Sequence, residues 1–214
     1  MLIMAALLGL FALVGTGIVA FTQDNTRERI AENERQTLLR SLHALVPPAL
    51  HDNDLIQDVI VITDQPLLGS RKPVKVFRAR MQGQPVAAIV ACVAPDGYSG
   101  DINLLVAINY EGKILGVRAV THHETPGLGD YIEIQKSKWI YSFEGHSLAD
   151  PGDLGWHVIK DGGIFDQFTG ATITPRAVVK AVHNSLKYFA AHREQLFSAP
   201  SPDPSGDITH GQQR

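Results

Sequence analysis

The sequence predicts an α+β domain, an antiparallel sheet with packed helices, preceded by one N-terminal transmembrane helix. Three observations predict this fold. No charged side chain precedes Asp24, the middle of the chain repeats short Val- and Ile-rich segments between turn residues, and an amphipathic segment with a capping signal lies near the C-terminus. With 214 residues, 44% of them hydrophobic, the chain is long enough for one folded domain with its own core.

Residues 1–22 are expected to form a transmembrane anchor, because a bilayer-spanning helix needs about 20 apolar residues. A cleaved signal peptide and a buried core helix are the alternatives. A signal peptide starts with a basic region and ends in a small-residue cleavage site, whereas no Lys or Arg precedes this apolar run and Ile18-Val19-Ala20 is a poor site. Core helices are usually shorter and interrupted by polar residues, so the anchor is the favoured interpretation.

Residues 23–50 are expected to form a separate juxtamembrane helix. Asn25 followed by Glu28 resembles a capping box, and Pro47-Pro48 would end the element. Three leucines recur at helical spacing on one face: Leu38, Leu42 and Leu45. Such an apolar stripe is typical of packing against a core.

The basic residues near the anchor all follow it, at Arg27, Arg29, Arg35 and Arg40. By the positive-inside rule, this distribution taken alone would place the main domain in the cytoplasm. A short basic leader upstream of Met1 is the hypothesis that would reverse this orientation.

Composition excludes several classes of function. A net charge of −3 leaves no basic surplus to neutralise nucleic-acid phosphates, so no nucleic-acid partner is expected. The single cysteine, Cys92, lies in an apolar run and is expected to be buried. One cysteine cannot form an internal disulfide or hold an iron–sulfur cluster, so redox chemistry would need an organic cofactor.

Residues 51–197 are expected to form the main domain. Five segments rich in Val and Ile predict strands at Asp58 to Thr63, Val74 to Met81, Val86 to Val93, Ile102 to Asn109 and Ile114 to Val120. Short turns at Gln82-Gly83-Gln84 and Tyr110-Glu111-Gly112-Lys113 indicate antiparallel neighbours. A helical stretch is expected near Gly129 to Ser142.

The last helix has the clearest pattern. Thr174 is a suitable N-cap residue and Pro175 suits the first helical position. An apolar face follows at Val178, Val182, Leu186 and Phe189. Residues 198–214, rich in proline and polar residues, are expected to form a disordered tail.

The segment Asp166–Thr172, D-Q-F-T-G-A-T, lies directly before this helix. Free amide groups and the helix dipole make a helix N-terminus a favourable site for a phosphate. The small residues Gly170 and Ala171 would let a bulky group approach the backbone, and the Thr172 hydroxyl could be esterified by a nucleotide phosphate. Taken by itself, such a string is also typical of an ordinary glycine turn before a helix.

This segment resembles the flavinylation motif D-x-x-(S/T)-G-A-T of the FMN-binding domains in Rnf-type electron-transport complexes and sodium-translocating quinone reductases. Two further segments match the same family in order and spacing: His123–Gly129 (H-E-T-P-G-L-G) and Gly97–Gly100 (G-Y-S-G). The resemblance covers the chain from the anchor to the last helix, leaving the tail unmatched, and as a whole the chain resembles the G subunits of Rnf/Rsx complexes.

The resemblance implies that FMN is linked covalently through its phosphate to Thr172. The other cofactor-binding residues that it and the loop chemistry suggest are Asp166, Thr169, Gly170, Ala171, Glu124 and Thr125. Glu124 and Thr125 could instead tie down their own loop. Asp166 could serve the attaching enzyme's metal, orient Thr172, or form a turn. The protein itself is expected to hold no metal, because the adjacent His122 and His123 lack a metal-ligand spacing.

As a whole, the resemblance implies an electron-transfer subunit without a complete active site of its own. It would lie on the periplasmic side of a bacterial inner membrane, in a complex that couples electron transfer to ion translocation. Its partners would be other subunits of that complex and a flavin transferase that uses FAD. The alternatives are the C subunit of a sodium-translocating NADH:quinone reductase and a non-redox membrane-anchored adaptor.

Overall fold

The computed structural model describes residues 2–200, apart from some side chains of the first helix. Helix α1, Leu2–Leu45, is one continuous helix of 44 residues, followed by the short 3₁₀ helix Pro48–Leu50. The chain divides into two compact units, Met1–Ser41 and Leu42–Arg214. Ser198, assigned from the sequence to the C-terminal tail, is the last residue of the final helix. Most of the predicted tail, residues 201–214, lies outside the described residues.

The N-terminal helix differs from the two helices that the sequence suggested. The backbone is helical through Asn25, so the capping-box residues mark no helix start. No proline occurs between Met1 and Val46, and each Asn, Asp or Thr in a helix interior costs only about 0.7 kcal/mol or less relative to Ala. Nothing in the local sequence is strong enough to break the helix.

The transmembrane helix expected over residues 1–22 is not confirmed. Within the described part of the chain, no helix combines the length and the apolar composition that crossing a bilayer requires.

Five strands form one antiparallel meander in which sequence neighbours are spatial neighbours. They are β1 Val59–Ile62, β2 Val74–Met81, β3 Gln84–Gly97, β4 Gly100–Asn109 and β5 Ile114–Thr121. The turn between β2 and β3 has positive φ at both Gln82 (52°) and Gly83 (77°), which is the conformation of a two-residue hairpin. The predicted antiparallel sheet is therefore confirmed.

Alternate side chains of the interior strand β4 face opposite sides of the sheet. Ile102, Leu104, Val106 and Ile108 join the main core, which also contains the long helix α3, Ile173–Ser198. The predicted apolar face of α3 is confirmed: Val178, Val182, Leu186 and Phe189 are all buried. A four-residue helix α2, Gln65–Leu68, connects β1 to β2.

The connection from β5 to α3 forms no long helix. The helical stretch predicted near Gly129 to Ser142 consists of two short 3₁₀ helices, Gly129–Ile132 and Trp139–Phe143. Two more, Asp153–Gly155 and Ile159–Asp161, follow before α3. Aromatic side chains from this connection, including Phe143, Trp156 and Phe165, are buried in the main core. The connection thus contains two of the motif segments, His123–Gly129 and Asp166–Thr172, as largely irregular loops. Its buried aromatic side chains anchor the connection to the main core.

Candidate functional site

Thr172 is the N-cap residue of α3. The helix begins at Ile173, so the prediction of Thr174 as N-cap is wrong, and Thr174 and Pro175 lie within the first turn. The Thr172 side chain makes no capping hydrogen bond. Its hydroxyl is therefore not committed to the helix, and it lies where the helix dipole and free amide groups favour a phosphate.

The reason for this shift is a hydrogen bond from the Thr174 hydroxyl to Oε2 of Glu124, fifty residues earlier in the chain. A hydroxyl that donates to a distant carboxylate gains a charge-assisted hydrogen bond. Thr174 is 1% exposed, so its side chain points into the protein rather than along the helix end.

The structure brings three sequence segments together around one cleft with a volume of about 310 Å³. It lies between the β3–β4 turn, the loop after β5 and the start of α3. Five of the predicted site residues line it: Glu124, Thr125, Gly170, Ala171 and Thr172. The remaining lining residues are Tyr98, Leu128, Gly129, Ile173 and Thr174.

Thr125 acts through its backbone in the loop after β5. Its carbonyl oxygen accepts hydrogen bonds from the amides of Leu128 and Gly129, both at 3.1 Å. Gly127 has a φ of 77°, and its amide donates to Oδ1 of the buried Asp130 at 2.7 Å. This compact turn presents Leu128 to the cleft opposite Gly170.

Asp166 and Thr169, the other two predicted site residues, are exposed and lie outside the cleft lining. The segment that contains them is fixed by contacts on its buried side. Nε1 of Trp139 donates to the backbone carbonyl of Asp166 at 2.7 Å, and the Trp139 ring packs edge-on against Phe168 with ring centroids 5.0 Å apart. The motif therefore has an anchored inner side and an outer side that faces solvent.

Tyr98 and Leu128 were not assigned as individual site residues from the sequence, although both belong to motif segments. Tyr98 is 68% exposed and Leu128 is 41% exposed, and both line the cleft. The sequence signal that could have identified Tyr98 as a site residue was the G-Y-S-G string, which resembles the family motif. Only the fold shows that it lies across the cleft from the D-Q-F-T-G-A-T segment.

The cleft fits an FMN group in size and chemistry. Cavities for ligands of this size are typically about 300–1,000 Å³. Among its described lining residues there is no Lys or Arg, so the helix N-terminus would provide the positive potential for a phosphate. Thr172 would hold the phosphate, the glycine-rich backbone would allow close approach, and Tyr98 and Leu128 offer apolar surface for a flat ring.

A larger cavity of about 570 Å³ lies between β1 and the end of α3, lined by residues such as Ile60, Tyr188 and Leu196. It contains none of the predicted site residues. By size alone, this cavity would be the candidate ligand site. The smaller cleft is the better candidate because polar groups converge there at the helix N-terminus.

The part of the chain that forms the sheet, the cleft and most of α3 includes an FMN-binding domain. The family described as the FMN-binding domain matches residues 97–187, which include all three motif segments. The family described as the RnfG N-terminal region matches residues 1–45, which contain α1.

Curated relatives extend this similarity over nearly the whole chain. The G subunit of the ion-translocating oxidoreductase complex of Pseudomonas aeruginosa is 54% identical over 194 residues, covering 91% of each chain. The G subunit of the ion-translocating oxidoreductase complex of Shewanella loihica is 49% identical over 197 residues, which cover 92% of this chain and 93% of that chain. The chain belongs to the family of G subunits of ion-translocating oxidoreductase complexes.

A solved structure, NqrC of Shewanella oneidensis, is 24% identical and superposes with a TM-score of 0.49 over 69% of this chain and 76% of that chain.

Proposed function

We propose that this chain carries FMN covalently through a phosphoester to Thr172 and serves as an electron-transfer subunit of a membrane complex that couples electron transfer to ion translocation. The observation that carries the proposal is the Thr172 side chain, which caps no helix amide although it lies at the N-terminus of α3 beside the cleft. Thr172 has helical backbone angles, φ −87° and ψ −19°, rather than the extended backbone of a capping residue, so its side chain does not turn back onto the helix amides. Here its hydroxyl is left for another bond.

The attachment is a phosphoryl-group transfer from FAD. The Thr172 hydroxyl attacks the phosphorus on the FMN side of the FAD pyrophosphate, forming the Thr172 Oγ–P ester. The pyrophosphate bond to the AMP half breaks, AMP leaves, and the hydroxyl proton passes to a base of the flavin transferase. No oxidant or reductant is consumed in this step.

The remaining predicted site residues divide into those that line the cleft and those that lie outside it. Gly170 and Ala171 lie beside Thr172 in the cleft, where the absence of large side chains leaves room for the nucleotide. Asp166 and Thr169 lie on the solvent side, where a separate enzyme can reach them. We assign these two to recognition by the flavin transferase, and Thr125 to the shape of the opposite wall.

The bound flavin would supply the redox chemistry, and the protein would hold it and tune its environment. The relatives are described as G subunits of the ion-translocating oxidoreductase complex, which supports this assignment over the C subunit of a sodium-translocating NADH:quinone reductase. Their descriptions also support other subunits of that complex as partners. A non-redox adaptor would not need an uncommitted hydroxyl at a helix N-terminus.

We also propose that α1 attaches the protein to the bacterial inner membrane and that the FMN-binding domain lies on the periplasmic side. The support is the uncharged sequence before Asp24 and the exposed apolar side chains along this part of α1: Ile3, Leu8, Phe11 and Leu13. Alkaline carbonate extraction should leave the protein with the membranes. Alkaline phosphatase fused after Pro200 should be active, and an inactive fusion would place the domain in the cytoplasm.

Intact-mass measurement tests the attachment site. Co-expressed with a flavin transferase, the wild-type protein should carry one FMN adduct and stay fluorescent after SDS denaturation. Thr172→Ala should carry none, whereas Thr169→Ser, which keeps a hydroxyl at the neighbouring motif position, should largely retain the adduct. An adduct on Thr172→Ala would refute the site, and a colourless wild-type protein would favour the adaptor.

A further inference from the structure

Glu124 is a buried carboxylate that joins three separate segments of the chain. It lies in the loop after β5 and is 5% exposed. Its Oε1 accepts the backbone amide of Ser99 at 3.0 Å, in the β3–β4 turn, and its Oε2 accepts the hydroxyl of Thr174 in the first turn of α3. Both carboxylate oxygens are thus occupied by groups of the protein itself.

Two glycines leave the space that this carboxylate fills. A Cβ atom at Gly97 would first meet the backbone oxygen of Gly100 and would also lie 2.9 Å from Oε1 of Glu124. One at Gly129 would lie 2.7 Å from Oε2 of Glu124, its nearest neighbour. Carbon and oxygen atoms that are not bonded do not approach so closely without displacement. The motif glycines at these two positions therefore fit around Glu124, in addition to any role in loop conformation.

The backbone of Glu124 is itself held by a neighbouring side chain. Nδ1 of His122 accepts the amide of Glu124 at 3.2 Å, and Nε2 of His122 lies 3.1 Å from Oε1 of Glu133. The two ring nitrogens of His122 thus contact the Glu124 backbone on one side and the Glu133 carboxylate on the other. The carboxylate is consequently fixed at both its backbone and its side-chain end.

The three segments that Glu124 joins are the three walls of the cleft. Tyr98 precedes Ser99, Leu128 precedes Gly129, and Thr172 lies at the N-terminus of the helix that contains Thr174. A carboxylate would also repel a phosphate placed against it, since both are anionic. The cleft geometry therefore suits Glu124 better as a link between its walls than as a ligand of the flavin phosphate.

Resting on the function proposed above, we infer that Glu124 is a positioning residue: it sets the separation of the cleft walls and thereby places Thr172 for flavin attachment. Misplacement of a reacting group by about 1 Å can cost about a hundredfold in rate. Glu124→Ala, which removes both hydrogen bonds, should slow attachment about ten- to a hundredfold. Thr174→Val, which keeps the side-chain shape but removes one bond, should slow it about tenfold.

The experiment measures the rate of FMN attachment to the full-length protein by intact mass, using purified flavin transferase and FAD. Thr174→Ser restores the hydroxyl and should load within about threefold of wild type, a range smaller than the loss of one hydrogen bond to a charged group. Glu111→Ala removes an exposed glutamate in the β4–β5 turn and is the matched control. Thermal melting of each variant before loading separates slow attachment from loss of folding.

A second measurement examines the variants once they are loaded. Visible circular dichroism of the bound flavin reports the asymmetry of its surroundings, so a changed wall separation should alter this spectrum in Thr174→Val but not in Thr174→Ser. If Glu124→Ala is unfolded, Thr174→Val decides the question because it conserves volume. Wild-type attachment rates and spectra in Glu124→Ala and Thr174→Val would overturn the inference, whereas absence of flavin from the wild type would overturn the proposed function.

Discussion

Two glycines of the loop after β5, Gly127 and Gly129, should respond differently to alanine for different physical reasons. At Gly129 an added Cβ would meet Oε2 of Glu124 at 2.7 Å and both Cβ of Glu124 and Oγ1 of Thr174 at 2.9 Å. At Gly127 an added Cβ would meet nothing within 4 Å, but φ is 77°. The first substitution is a steric clash, and the second is a backbone strain.

The two costs in folding stability are similar in size. Overpacking a closed site typically costs about 1–3 kcal/mol. Placing a residue with a Cβ in the left-handed region costs about 1–2 kcal/mol. For a domain of this size, each variant should melt roughly 2–12 °C below wild type, since about 1 kcal/mol corresponds to roughly 2–4 °C.

The two variants should differ in their rate of flavin attachment, although their losses of folding stability are similar. Gly129→Ala must displace Glu124 or Thr174, so the FMN adduct formed in a fixed time should fall severalfold. Gly127→Ala leaves both side chains in place and should load close to the wild-type rate at a temperature where it is folded. Thermal melting and intact mass on the same preparations test this. Equal loss of attachment in both variants, or none in Gly129→Ala, would show that contact with Glu124 is not the reason for glycine at position 129.

Three further predictions concern the stability of the domain and its titrating groups. Arg78 is 1% exposed and pairs with Asp58 at 2.5 Å. Arg78→Met removes one partner of this carboxylate, so urea unfolding should show a loss of about 3 kcal/mol in folding stability. A loss below about 1 kcal/mol would show that Arg80 compensates fully. Burial raises the pKa of Cys92 to about 11, so this thiol should not react with a disulfide reagent at pH 8 until the protein is unfolded, and fast native reaction would contradict its burial. Burial lowers the pKa of His183, so its contribution to folding stability is present above pH 6.5 and is lost as the pH falls through the lowered pKa. In urea unfolding, His183→Gln should therefore lose less stability between pH 7.5 and pH 5 than wild type does. An equal loss in both proteins would show that other groups cause it.

The strands and the last helix could be predicted from the sequence because their signals are local. Valine and isoleucine runs bounded by glycine turns indicate strands, and antiparallel pairing follows from turns of two to four residues. The bounds were less accurate: β3 continues to Gly97 and β4 starts at Gly100, because the two strands pair up to their turn. Pairing partners, rather than residue propensity, decide where a strand ends.

The sequence by itself also pointed to the proposed attachment motif, since D-Q-F-T-G-A-T is contiguous and its proposed chemistry depends on a helix that starts beside it. Only the tertiary structure decided that Thr172 is the N-cap residue, because the competing Thr174 hydroxyl has a partner fifty residues away. The same holds for the positions of Glu124 and Tyr98 beside the cleft. Their partners come from segments distant in sequence, and a hydrogen bond between such segments exists only once the sheet and α3 have brought them together.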